Sequence, residues 1–181
     1  MLLSLDISTS CTGYCLFDED VLVDIGYINL SKHKGLFEKA NHVKNYITYL
    51  KGKHPIKNIA VEENLQAFRP GLSSAKTLMT LAQFNGVVRW ICYETLNVPV
   101  ESINVNTARK TIGLKIDRKN KEKSTKQQVL EWVTCDNSEI QWPTKILKSG
   151  PNRGKSRICN ESYDMADAYV IGKAFNLISK N

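Results

Sequence analysis

Leu2-Leu3-Ser4-Leu5-Asp6-Ile7, then Gly13-Tyr14-Cys15-Leu16-Phe17, then Val21-Leu22-Val23-Asp24-Ile25-Gly26-Tyr27-Ile28: three short runs of β-rich residues open the chain. Polar or glycine-bearing stretches separate them, notably Asp18-Glu19-Asp20, so they predict three consecutive strands joined by hairpins. After them Leu36, Phe37, Ala40, Val43, Ile47 and Leu50 recur at three and four, the mark of an amphipathic helix ending near Gly52. Asn58–Glu63 predicts a fourth strand that ends in acid. Ser73 or Ser74 can then cap a long helix whose buried stripe would be Ala75, Leu78, Met79, Ala82, Val87, Ile91 and Cys92.

A fifth strand is expected from Pro99 to Val105 and a short helix over Thr107–Ile112, closed by Gly113. A lysine-rich connection leads to a helix carrying Val129, Leu130, Trp132 and Val133. The stretch Asp136–Asn160, with Pro143, Gly150, Pro151 and Gly154, reads as a long loop or irregular hairpin before a last helix from Ser162 to Ile178. The expectation is one α/β domain over residues 1–181, a five-stranded mixed sheet of three antiparallel hairpin strands and two parallel ones, flanked by helices.

The chain has 181 residues and a net charge of +7, with 42% hydrophobic residues, which suits one folded domain with its own core. No apolar run approaches the roughly 18 residues that span a bilayer, and Asp6 interrupts the first apolar stretch, which argues against a signal peptide. No membrane partner is expected. Five scattered cysteines without a C-x-x-C pair point to a reducing, cytoplasmic-type compartment, not a zinc knuckle or disulfide scaffold. The charge is uneven. Residues 1–100 carry 10 basic and 9 acidic side chains; residues 101–181 carry 15 and 9. Eight cations fall in Arg109–Lys126 (Arg109, Lys110, Lys115, Arg118, Lys119, Lys121, Lys123 and Lys126). Five more (Lys145, Lys148, Arg153, Lys155 and Arg157) follow with no acid among them. Such clustering is the footprint of a polyanion partner, and a solvated lysine-rich surface is the bland alternative.

The chemistry lies in where four acids fall. Asp6 ends the first strand, Glu62 ends the fourth, and Asp164 and Asp167 share a face of the last helix at i, i+3. Carboxylates gathered without cationic partners repel one another unless a divalent cation neutralises them. An all-oxygen set favours Mg²⁺ or Mn²⁺ over zinc.

In that order the residues resemble RuvC-type Holliday junction resolvases. Leu5-Asp6-Ile7-Ser8-Thr9-Ser10-Cys11-Thr12-Gly13-Tyr14 is similar to the family's opening strand and turn. Ile59-Ala60-Val61-Glu62 resembles its strand ending in glutamate, and Asp164-Met165-Ala166-Asp167-Ala168 its D-x-A-D-A helix. Between them, Asn106–Gly113 and Lys126-Gln127-Gln128-Val129 match its basic motifs. The likeness spans nearly the whole chain, with Ser8 where relatives often have glycine, and the long insert Lys145–Arg157 points to a phage, viral or organellar branch.

What the resemblance implies is an RNase H-like fold and a homodimeric endonuclease that cuts four-way DNA junctions with Mg²⁺, two ions per site and Mn²⁺ able to substitute. Asp6, Glu62, Asp164 and Asp167 would hold the ions, and Lys126 with Lys110 or Arg109 would support the scissile phosphate. Phe68, or Leu65 at the ungapped position, would serve the junction centre beside Arg69. Lys115, Arg118, Lys119, Lys121, Lys123, Lys148, Arg153, Lys155 and Arg157 would track phosphates. No small-molecule cofactor is expected. The apolar helix Ala75–Leu96, with Phe84, Val88 and Trp90 off its main stripe, is the candidate dimer face. Two alternatives remain at this point: another RNase H-like nuclease (a ribonuclease H or transposase-like enzyme), and an actin/sugar-kinase-like nucleotide-binding scaffold, whose hairpin Asp6–Gly13 resembles too.

Overall fold

β1 (Leu2–Ile7) lies in the middle of the sheet, which explains its nearly unbroken apolar run: it is covered on both faces. The structure is a computed structural model that describes residues 1–63 and 75–180. β2 (Cys11–Asp18) and β3 (Val21–Asn29) follow as antiparallel hairpin strands, then α1 (Leu36–Lys53) and β4 (Asn58–Glu62). Next come α2 (Ala75–Leu96), β5 (Val100–Ile103), α3 (Val105–Thr111) and α4 (Thr125–Asp136). A separate hairpin of β6 (Thr144–Ile146) and β7 (Ser156–Ile158) precedes α5 (Glu161–Ile178). The main sheet is the expected five-stranded mixed one, three antiparallel strands and two parallel; its order is β3-β2-β1-β4-β5, with β4 parallel to both β1 and β5.

Side-chain alternation along β1 divides the core in two. Leu3, Leu5 and Ile7 pack with Val43, Ile47 and Leu50 of α1 and Phe84, Val88 and Cys92 of α2. Leu2 joins Phe17 and Ala60 on the other face, under Ala168, Tyr169, Val170, Ile171 and Ala174 of α5 and Val129, Leu130 and Val133 of α4. Ser4 shares the α5 face, fully buried, and its hydroxyl donates to the Ala168 carbonyl at 2.8 Å. Two contacts bring α5 close. Gly13 faces the α5 backbone, where a Cβ would overlap the Asp164 carbonyl and lie 2.7 Å from Met165 N. Gly172 on the helix faces Phe17 and the Ser4 hydroxyl, 2.6 Å from its own would-be Cβ.

One expectation is corrected. On α2 the buried residues are Phe84, Asn85, Val88, Ile91, Cys92 and Leu96, whereas Ala75, Met79 and Ala82 are exposed. Phe84 and Val88 therefore belong to the intrachain core and not to a free dimer face. The stretch Asp136–Asn160 forms a true hairpin. The proposed helix cap at Ser73 or Ser74, and Leu65, Phe68 and Arg69, lie outside the described residues.

Candidate active site

The position of Asp6 follows from strand and helix geometry. From Ser4, anchored on Ala168, two strand residues advance about 6.6 Å. One α-helical turn back from Ala168 to Asp164 covers about 6 Å. Asp6 therefore arrives beside Asp164, one turn from the Ser4 contact, and Asp167 flanks Ala168 on the same helix. The parallel register pairs Leu5 with Val61, which brings Glu62 next to Asp6 at the carboxyl ends of the two strands. Ala60 packs on the α5 side, so Glu62, two residues on, faces that side as well. The neighbouring Glu63 stands at the edge of the same site and accepts from the Asn104 side-chain amide at 3.0 Å.

These residues line one open cleft of about 650 Å³, together with Ser8, Glu63, Asn85, Arg109, Thr125 and Lys126. Burial and mutual repulsion act in the same direction on the acids. Asp6 is raised well above the usual carboxylate range, first by desolvation and then by Glu62, Asp167 and Asp164. Desolvation and Asp167 push Glu62 up to about 7, against Arg109, Lys126 and a hydrogen bond shared with Asp6. Asp164 and Asp167 are also raised by burial, opposed by Lys126 and Arg109 respectively.

Two cations enter the cleft. The Arg109 guanidinium lies 3.4 Å from Asp167, and Lys126 Nζ lies 3.7 Å from Asp164. The Lys126 side chain remains 60% exposed, so its charge still faces solvent. It stands in the first turn of α4, which is fixed by a capping box between Ser124 and Gln127. Lys110 is elsewhere. It lines an adjoining cleft of about 530 Å³ with Arg109, Lys115 and Arg118. Of the pair Arg109 and Lys110, the structure brings the arginine to the carboxylates.

Five carboxylates against two cations leave the cleft with a deficit of positive charge. Among the described residues, no three acidic, histidine or cysteine side chains are drawn tightly enough together to hold a metal ion as they stand. The donor set nevertheless fits a hard divalent cation: it is all oxygen, largely buried at the base of an open cleft and under-compensated.

Asn85 is the lining residue that sequence reasoning missed. It is 3% exposed, and its Oδ1 has no hydrogen-bond partner. A polar residue inside the buried stripe of α2, one residue after Phe84, was the available signal.

The fold is the RuvC/RNase H-like one. The chain superposes on Thermus thermophilus RuvC, solved in complex with a Holliday junction substrate, with a TM-score of 0.66. Identity is 14%, covering 99% of this chain and 94% of that one. The yeast mitochondrial Holliday junction resolvase Ydc2 matches with a TM-score of 0.57 and 18% identity, over 97% of this chain and 77% of that one. No family model matches the sequence, and no curated protein does. No described helix is long and apolar enough to cross a membrane. All five cysteines are free.

Proposed function

We propose that this chain is a divalent-metal-dependent endonuclease of the RuvC type that resolves four-way DNA junctions. The observation that carries the reading is the convergence of Asp6, Glu62, Asp164 and Asp167 in one cleft with Arg109 and Lys126, on the resolvase fold. Asp6, Glu62, Asp164 and Asp167 would hold the cation, Mg²⁺ or Mn²⁺ by the hardness of the donors. When bound there, such an ion supplies neutralisation of the phosphate and an activated water.

The chain's own groups do the rest. Lys126, exposed and tethered near Asp164, offers positive charge to a phosphodiester entering the cleft. Arg109 holds the Asp167 carboxylate in place. Lys110, Lys115 and Arg118, in the adjoining cleft, and the cations of 119–123 extend a path for the flanking backbone phosphates. An exposed stripe on α2 supports a twofold dimer, which paired cuts across a junction require. Met79, Ala82, Gly86, Trp90 and Tyr93 recur there at three and four, and all are exposed. Trp90 and Tyr93 are 60% and 54% exposed.

The test is cleavage of labelled four-way junction, flap, linear duplex and RNA–DNA hybrid in Mg²⁺ or EDTA. The wild type should cut the junction by paired nicks only with metal. Asp6→Asn should bind it without cutting, a rate loss on the order of 10³-fold or more, equivalent to several kcal/mol of barrier. Full Mg²⁺-dependent cleavage by Asp6→Asn would overturn the reading. Preferential cutting of the RNA–DNA hybrid would move the protein to another RNase H-like activity.

A further inference from the structure

The β6–β7 hairpin is the one described element that belongs to neither core. Its six strand residues are all exposed, including Ile146 at 68% and Ile158 at 39%. Over 144–158 there are five cations (Lys145, Lys148, Arg153, Lys155 and Arg157) and no acid. None of the five makes an ion pair with a described residue. A two-stranded ribbon of this size is marginal by itself, and unrelieved like charge weakens it further.

Its base, in contrast, is firmly fixed. The Cys159 amide donates to the Pro143 carbonyl at 2.8 Å and closes the ribbon. Trp142, just before it, donates from Nε1 to the Thr134 hydroxyl of α4 at 2.9 Å and packs on the α4–α5 core. On the other side only four residues separate Cys159 from Asp164. The ribbon thus springs from between α4, which bears Lys126, and α5, which bears two of the acids.

Register sorts the side chains. Lys145 is directly opposite Arg157, and the ladder continues through a Leu147 amide bond to the Lys155 carbonyl at 3.0 Å. Alternation puts Lys145, Arg157 and Lys155 on one face, and Thr144, Ile146, Ser156 and Ile158 on the other. Lys148 and Arg153 sit at the tip. One face and the tip are therefore cationic, while the other face is uncharged.

We infer that this hairpin is an arm that grips the phosphate backbone of a duplex beside the carboxylate cleft. A two-stranded ribbon fits a DNA groove, and paired cations opposite each other suit phosphates on its walls. The inference rests on the nuclease reading for the identity of the DNA, and it adds where that DNA is held. Its contribution is affinity without base specificity.

The test is binding of a four-way junction in EDTA, across a salt series, for Lys145→Gln/Arg157→Gln. The control is Lys51→Gln/Lys57→Gln, which removes the same charge where α1 leads into the opposite end of β4. The hairpin variant should bind about tenfold more weakly at 0.1 M salt, with a log–log salt slope shallower by about 2. Its melting temperature should equal that of the wild type, because the ribbon packs on neither core. Unchanged affinity and slope would overturn the arm, and an equal loss in the control pair would also do so by reducing the effect to net charge. Failure of the nuclease reading looks different: the hairpin variant still loses affinity, while the wild type cuts nothing in Mg²⁺.

Discussion

Metal-free protein should lose stability as pH rises from 5 to 8, and the structure gives the size of the effect. Glu62 releases its proton near 4.5 when unfolded but near 7 when folded. Between those values the folded state holds a proton that the unfolded state has lost, so raising pH favours unfolding. At 1.36 kcal/mol per pH unit, the difference amounts to about 3 kcal/mol. The cleft is open to water, which screens the repulsion, so 1–2 kcal/mol is the expected loss and about 3 kcal/mol the ceiling. Asp6 shares a hydrogen bond with Glu62, and the two titrate as a pair, so their repulsion is counted once. For a chain of this length the melting temperature should fall by roughly 2–8 °C. Thermal melts in EDTA at pH 5.5, 6.5, 7.5 and 8.5 measure it directly. Mg²⁺ should restore the loss at pH 8 and do little at pH 5.5, since only the ionised set attracts the cation. Asp167→Asn, which removes the charge that raises Glu62, should flatten the EDTA profile. A melting temperature that stays level or rises from pH 5.5 to 7.5 in EDTA refutes the reasoning, as does an unchanged slope in Asp167→Asn.

Gly13→Ala places a methyl against the α5 backbone at Asp164 and should cost about 1–3 kcal/mol or more. Calorimetry should show it, along with a smaller Mg²⁺-induced rise in melting temperature, whereas Gly52→Ala, in open space, should melt like the wild type. Asn85→Leu removes a buried unpaired carbonyl and should raise the melting temperature by roughly 2–6 °C while slowing junction cleavage. Unchanged cleavage would confine Asn85 to packing. Trp90→Glu puts a charge in the exposed α2 stripe and should shift sedimentation from dimer to monomer with little change in melting of the monomer fold. A monomeric wild type at micromolar concentration would remove the dimer.

The strands and the four acids were legible because β periodicity is short, Asp6 and Glu62 close apolar runs, and Asp164 and Asp167 share a helix face at i, i+3. The facing of Glu62 against Glu63 was not, until Ala60 fixed the parity of β4 against α5. Arg109 and Lys110 are neighbours on a single helical turn, separated by about 100°. Only the burial of Ala108 against α5 decides that the arginine meets Asp167. α2 misled for a different reason. It carries two apolar stripes, one of small or flexible residues (Ala75, Met79, Ala82) and one containing Phe84 and Val88. Periodicity cannot rank them. Packing can: the bulkier, stiffer pair fills the space above Leu3 and Leu5, and the other stripe stays outside. Phe68 and Arg69 lie outside the described residues, so the junction-centre assignment stays a sequence expectation.

The heavy burial of α5 follows from the work its acids demand. A helix bearing Asp164 and Asp167 beside Asp6 and Glu62 is repelled from the sheet to the extent that these acids are ionised. Against that push stand Ala166, Ala168, Val170, Ile171 and Ala174, all fully buried, and the Ser4 hydroxyl bonded to the Ala168 carbonyl. The glycine contacts at 13 and 172 let the backbones approach closely enough for this packing to be dense. Arg109 and Lys126 offset part of the repulsion, but Lys126 does so from an exposed position, where a phosphate can compete for it. The net charge of +7 includes these inward-facing acids. With a divalent cation among them, the surface that a DNA partner would meet is more positive than that sum. The basic run of 109–126, whose Arg109 and Lys126 line the cleft, then borders a neutralised centre instead of an acidic one.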